Sequence, residues 1–217
     1  NYTIKMGCKK DGTITAAHAD MVFQAGPFAG SMYFNAPNAM FTRYDIKNVD
    51  VVAYEVLSNR QKVASFRAPC VPQIVFGVEG VIDEMARKIE MDPIDFRLKN
   101  AAEDGHMTIY GDTWGPIGFI ETLKKAKECD HYKSPVKEGE GRGISTGFWF
   151  NRGGETAASL NLAPDGTVTI AVGTADVAGS RISISMMAAE ELGIPVDQVR
   201  VKMADTNSLG FNRVTAG

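Results

Sequence analysis

Residues 65–100 read SFRAPCVPQIVFGVEGVIDEMARKIEMDPIDFRLKN, and the fold is decided there. The stretch opens with a cramped loop, Phe66-Arg67-Ala68-Pro69-Cys70-Val71-Pro72. Proline fixes its own φ and biases its predecessor away from helical backbone, so prolines at 69 and 72 make the loop stiff. Pro72 suits the first residue of the helix that follows, where a missing N–H costs nothing. Val75, Phe76, Ile82, Met85, Ala86 and Ile89 fall near one face of that helix, with Glu84, Arg87, Lys88 and Glu90 opposite. Asp92-Pro93 reads as N-cap and first turn of a short second helix, Pro93 to Lys99. A stiff loop feeding a helix N-terminus presents unpaired N–H groups at the positive end of a dipole, which favours anions. A plain buried strand-to-helix turn would carry the same residues.

Upstream, residues 3–9 and 13–22 read as strands around Lys10-Asp11-Gly12. Asp-Gly between two such runs is a hairpin signal, because glycine takes positive φ cheaply. The device recurs at 158–172, where SLNLAP, Asp165-Gly166 and TVTIAV follow one another. Both copies contain D-G-T-(I/V)-T, either by shared turn chemistry or as the echo of a duplicated architecture. Residues 24–47 alternate poorly and predict a packed irregular segment or a short helix. Val49 to Leu57 predicts a strand.

Downstream, Gly118 to Cys129 predicts a helix with Ile120, Leu123 and Ala126 inward. The charged, Gly-rich run HYKSPVKEGEGRG places a domain boundary near Gly139, giving segments 1–139 and 140–217. Gly143 to Phe150 is an apolar run that predicts a strand. The loop Gly173 to Ser180 leads into a helix, Arg181 to Leu192, stopped by Gly193-Ile194-Pro195. Asp197 to Met203 is the next strand, so 168–203 forms a βαβ crossover. Ligands sit beyond the carboxyl ends of such strands, which points to loops 173–180 and 204–217. The expected fold class is α+β: two mixed subdomains with β-hairpins and a βαβ unit in the C-terminal part.

The composition bounds function. A chain of 217 residues that is 44% hydrophobic and 23% charged can bury a real core as one or two domains. Its net charge of −3 supplies no attraction to nucleic acid or an anionic membrane. No apolar run reaches the roughly 18–20 residues of a membrane span. Cys8, Cys70 and Cys129 form neither a disulfide framework nor a zinc pattern, which favours a reducing compartment. With no initiator Met, a start inside a strand pattern and no closing helix, the chain reads as an internal fragment.

The ordered run F-R-A-P-x-x-P-Q, E-x-x-x-D-E-x-A and M-D-P-x-x-x-R-L-K-N resembles the molybdenum hydroxylases, the large subunits of the xanthine dehydrogenase and aldehyde oxidase family. The resemblance covers essentially the whole chain but only the middle of the family's subunit. It implies an enzyme that oxidises an aldehyde or N-heterocycle with water-derived oxygen, although this piece alone would be inactive. It implies a molybdopterin cofactor with molybdenum, of plain or cytosine dinucleotide form, and iron–sulfur and FAD groups on partner subunits or domains. It places the protein in the cytoplasm, assembled with the rest of the molybdenum subunit and acting on a small molecule. Segments 1–139 and 140–217 would be the rear of one pterin-binding subdomain and the front of the next.

By the same resemblance, Phe66, Arg67 and Ala68 lie beside the cofactor, and Gly179, Ser180 and Arg181 form a second contact. Thr215 and Ala216 begin a third. Family members usually carry glycine-glutamine-glycine in the second loop, which Val177-Ala178-Gly179-Ser180-Arg181 lacks, leaving Arg181 as a substitute phosphate partner. Ala68 stands where the carbon monoxide-oxidising branch has cysteine, which argues against that branch. Phe148, from the Phe148-Trp149-Phe150 cluster, matches an aromatic flanking the substrate; core packing is the alternative. The general base, a glutamate, would lie beyond residue 217, so no catalytic residue and no protein metal ligand is assigned.

Bland readings remain beside these. Gly179 allows close backbone approach and Ser180 suits an N-cap, but loop 173–180 also reads as a merely tight turn. Cys70 reads as a small buried thiol. His18 reads as an outward polar residue on a strand, and Glu79, Asp83 and Glu84 as solvated or helix-positioning carboxylates. Two rival functions stay open: a non-catalytic α+β interaction domain, and a phosphate-ligand-binding module.

Overall fold

The structure, a computed structural model, describes residues 1–150, 154–203, 205–207, 209–213 and 215. The chain divides into two compact units, residues 1–150 and 151–217.

In the first unit, β1 (Tyr2–Cys8) and β2 (Ile14–Gly26) form an antiparallel hairpin, and β3 (Val49–Leu57) lies parallel to β2. The sheet order is β1-β2-β3. Between β2 and β3 sits α1 (Asn35–Met40), the short helix expected within 24–47. The long helix α2 (Val71–Lys88) and the short α3 (Pro93–Lys99) follow, then α4 (Phe119–Glu128) and α5 (Asp130–Lys133). One core joins Ala17, Ala19 and Met21 of β2 to Ala36 and Met40 of α1 and Ile74, Val78 and Ile82 of α2. Each large apolar side chain buried there stabilises by roughly 1.5–3 kcal/mol.

Details of α2 differ from the periodic reading. Val71 is its first residue and Pro72 its second, behind a Cys70 N-cap. Ile74, Val78, Ile82, Met85 and Ala86 are buried, whereas Phe76 is 81% exposed. Phe76 lies on the side of α2 away from the buried stripe, and the helix approaches β1 closely at Gly77. A Cβ there would lie 2.6 Å from the Tyr2 ring and 2.8 Å from Ile4.

The second unit repeats the scheme. Strands β4 (Ala158–Leu162) and β5 (Val168–Val172) pair antiparallel, and α6 (Ser180–Leu192) crosses to β6 (Val199–Met203), parallel to β5. Its core is Val168, Ile170 and Val172 with Ala189, Val199 and Val201. Leu160 and Leu162 pair with Ile170 and Val168 and so share their face, yet are 54% and 65% exposed.

The two hairpin turns agree bond for bond. Lys9 N–H donates to Thr13 O at 2.9 Å and Gly12 N–H to Lys9 O at 3.0 Å; Ala163, Thr167 and Gly166 repeat this at 2.9 and 3.0 Å. Thr13 and Thr167 each donate N–H to the turn aspartate, Asp11 or Asp165, at 3.0 Å. With equal strand order and sense, the echo is one of architecture as well as of turn chemistry.

Residues 143–150 are not a strand. Burial alternates along them as it would on one, but side chains hold the segment where a backbone ladder was expected. The segment packs on the first unit, which therefore extends past Gly139, the boundary that composition marked, to Phe150.

Candidate functional site

The loop before α2 is backbone-strained. Ala68 and Cys70 adopt φ of 52° and 67°, a region most side chains avoid at a cost of about 1–3 kcal/mol each. Val71 N–H closes the turn onto Ala68 O at 3.0 Å. No side chain caps α2 at its N-terminus. Phe66 is 87% exposed, Arg67 is exposed without a partner among the described residues, and Ala68 is half-buried against the core. Cys70 is half-buried, and burial pushes its thiol up, so it is less of a thiolate than a free cysteine. Val71 N–H is taken and Pro72 has none, so it is the unpaired guanidinium and the helix dipole that suit a phosphorylated or otherwise anionic group. The residues present there fit a pterin phosphate.

The second unit brings its two predicted loops together. Thr215 Oγ1 accepts from Ala175 N–H at 3.0 Å and lies 3.1 Å from Thr174 Oγ1. Val214, Ala216 and Gly217 lie outside the described residues, so Ala216 has no placement. The N-cap of α6 is Gly179, at φ 83°, and Ser180 is the first helical residue. The Ser180 hydroxyl turns back into the loop instead of capping the helix, donating to Ala175 O and accepting from Val177 N–H at 3.1 and 3.2 Å. Arg181 is engaged as well. Its Nε donates to Asp176 Oδ2 at 3.0 Å, its Nη1 to Val201 O at 3.0 Å, and its N–H to Asp176 Oδ1 at 3.2 Å. Arg181 in turn holds the Asp176 carboxyl below its usual value. Asp176 thus occupies the turn where an anionic guest was expected, and the loop fits a phosphate only after that carboxylate moves.

A buried ion cluster was missed in the sequence. Glu79 is 3% exposed, not solvated, and its carboxylate accepts four hydrogen bonds. Arg43 Nη2 and the Tyr44 hydroxyl donate to one oxygen at 2.9 and 2.7 Å. Arg97 Nε and Thr146 N–H donate to the other at 3.0 and 2.8 Å. Burial raises the Glu79 pKa, but Arg43 and Arg97 outweigh it, and the carboxyl is held below its ordinary value. Asp83 at the rim pairs with Arg97 at 2.8 Å. No periodicity marks Arg43, and Arg97 reads in sequence as an ordinary charge on a short helix.

Phe148 lies in an aromatic group of the first unit. Its ring meets Trp114 at 5.2 Å and Phe150 at 5.1 Å, both edge to face, and Phe150 lies 5.9 Å from Tyr110. Phe148 itself is half-buried, placed between core and surface. His18 does face outward, and its ring nitrogens meet Asp20 at 2.8 Å and Asp50 at 2.9 Å. Those two carboxylates, Asp20 first, raise its pKa.

Two family models match, each described as a molybdopterin cofactor-binding domain, over residues 1–101 and 120–217. The xanthine dehydrogenase molybdenum-binding subunit of Escherichia coli O157:H7 is 26% identical over 96% of this chain and 30% of its own length. The nicotinate dehydrogenase large molybdopterin subunit of Eubacterium barkeri is 34% identical over 57% of this chain and 30% of its own. Among solved structures, quinoline 2-oxidoreductase from Pseudomonas putida 86 superposes with a TM-score of 0.83 at 17% identity, over 98% of this chain and 31% of that one. The chain thus spans about a third or less of the relatives it matches. No described helix is long and apolar enough to cross a membrane.

Proposed function

The chain belongs to the family of molybdopterin cofactor-binding domains, and on that premise we propose that it is the pterin-holding stretch of a molybdenum hydroxylase large subunit. The observation that carries this reading is the uncapped start of α2 beside the unpaired Arg67, on a loop strained at Ala68 and Cys70. Phe66, Arg67 and Ala68 would line the cofactor, with Arg67 and the positive end of the α2 dipole drawing its anionic part. Gly179, Ser180, Arg181 and Thr215 would join after Asp176 is displaced, and Ala216 would follow Thr215 in the same segment. Phe148 would present a ring edge to the substrate. When bound, the cofactor supplies two-electron oxidation of an activated carbon; the protein's share is positioning and charge.

In this reading the substrate is an aldehyde or N-heterocycle, and the pterin has the plain or cytosine dinucleotide form. Electrons leave to iron–sulfur and FAD partners in the cytoplasm. The isolated chain is expected to show no turnover and little bound metal. Plasma mass spectrometry on the purified chain tests that, and stoichiometric molybdenum would overturn it. In the full-length subunit, Arg67→Ala is expected to lower molybdenum content several-fold. Unchanged content would favour the interaction-domain reading. The phosphate-ligand module would need the same displacement of Asp176 from the α6 start.

A further inference from the structure

Among the described residues, 144–148 run extended outside any strand ladder, and three bonds to buried charged groups hold them at 144 and 146. Arg97 Nη2 donates to Ile144 O at 2.9 Å, Thr146 N–H to Glu79 Oε2 at 2.8 Å, and Arg43 Nε to Thr146 Oγ1 at 2.9 Å. Ile144, Thr146, Phe148 and Phe150 point inward, and the residues between them are more exposed. In extended backbone the side-chain period is two, so a slip of one residue exchanges the faces. The anchors at 144 and 146 therefore dictate that Phe148, and not Trp149, meets the Trp114 ring.

We propose that Glu79, flanked by Arg43 and Arg97, is a positioning residue that sets the register of the strap 144–150 and so aims the Phe148 ring. The link to substrate rests on the pocket reading of Phe148 above, whereas the register claim does not. Both are testable with Thr146→Val, which deletes the hydroxyl that Arg43 and Tyr44 bind and keeps shape and N–H. Chymotrypsin cuts after aromatic residues. Well below the melting temperature, Thr146→Val is expected to speed cleavage after Phe148 and Trp149 at least about tenfold, the scale of the lost hydrogen bond to Arg43 alone. Cleavage after the buried Phe96 should stay unchanged, and Thr146→Ser should restore the original rate. Glu79→Gln, where it folds, should exceed the Thr146→Val effect. Cleavage at 148 and 149 that keeps step with Phe96 would overturn the register claim. In the full-length subunit, Thr146→Val is expected to raise KM more than it lowers kcat. A loosened strap with unchanged KM would refute the pocket role of Phe148 alone. A changed KM with an unloosened strap would overturn the positioning claim.

Discussion

Protonating Glu79 leaves two buried guanidinium groups without the charge they share. Because its pKa is lowered on folding, its contribution is in place above the ordinary value of 4.5 and is lost as pH falls through the depressed one. Glu79→Gln is expected to destabilise the first unit by about 3–5 kcal/mol at neutral pH and to flatten the acid limb below pH 4.5. Urea unfolding followed by tryptophan fluorescence at both pH values measures this. His18 has the opposite sign. Its raised pKa makes its contribution complete below the ordinary 6.5, fading as pH climbs through the raised value. Ring proton shifts should titrate above 6.5 and move back in Asp20→Asn and Asp50→Asn. Gly26→Ala is expected to cost roughly 1–3 kcal/mol, since φ is 86° and a Cβ would lie 2.5 Å from Lys62 Cα; thermal melts would show it. At this scale the sequence was least legible. Helical periodicity counts apolar positions, so it admitted Phe76 to the core and left out Glu79, whose burial depends on Arg43 thirty-six positions away.

Single elements were easier to read where the signal is local. Asp92 caps α3 as its spacing predicts, accepting from Ile94 and Asp95 N–H at 2.8 and 3.0 Å, and it also takes the Tyr132 hydroxyl at 2.8 Å. Burial first, then Asp92, pushes that phenol up to about 12. Asp92→Ala is expected to cost about 0.5–2 kcal/mol and to bring the phenol back toward 10.0 in ultraviolet titration. An unmoved phenol would exclude the contact. The hairpins and α6 were legible for the same reason: Asp-Gly turns and the Gly193 stop act within a few residues. The segment 143–150, which contains the strap, was legible only by half. Its alternation announces extended backbone, but a strand also needs a ladder partner, and sequence does not show that ion-paired side chains take that place.

For the whole molecule, the α+β class and the repeated hairpin-plus-crossover were readable, because they follow from turn signals and apolar runs. The reach of the first unit to Phe150 was not, because Gly and charge mark flexible composition and not where packing ends. Among the described residues the first unit's main core holds 17 buried apolar residues and the second unit's 6. Both tryptophans, Trp114 and Trp149, belong to the first unit. Far-ultraviolet circular dichroism is therefore expected to start falling at lower urea than fluorescence, as the smaller unit melts first. Coincident curves would show one cooperative body.

The bare leucines of β4 carry a practical consequence. An outermost strand with greasy side chains and open backbone groups is a template for a neighbouring molecule. Concentrated solutions of the chain should cloud with time, and light scattering should fall when Leu160→Lys and Leu162→Lys are introduced together. Solubility, before any chemistry, then sets how much of this polypeptide can be handled in isolation.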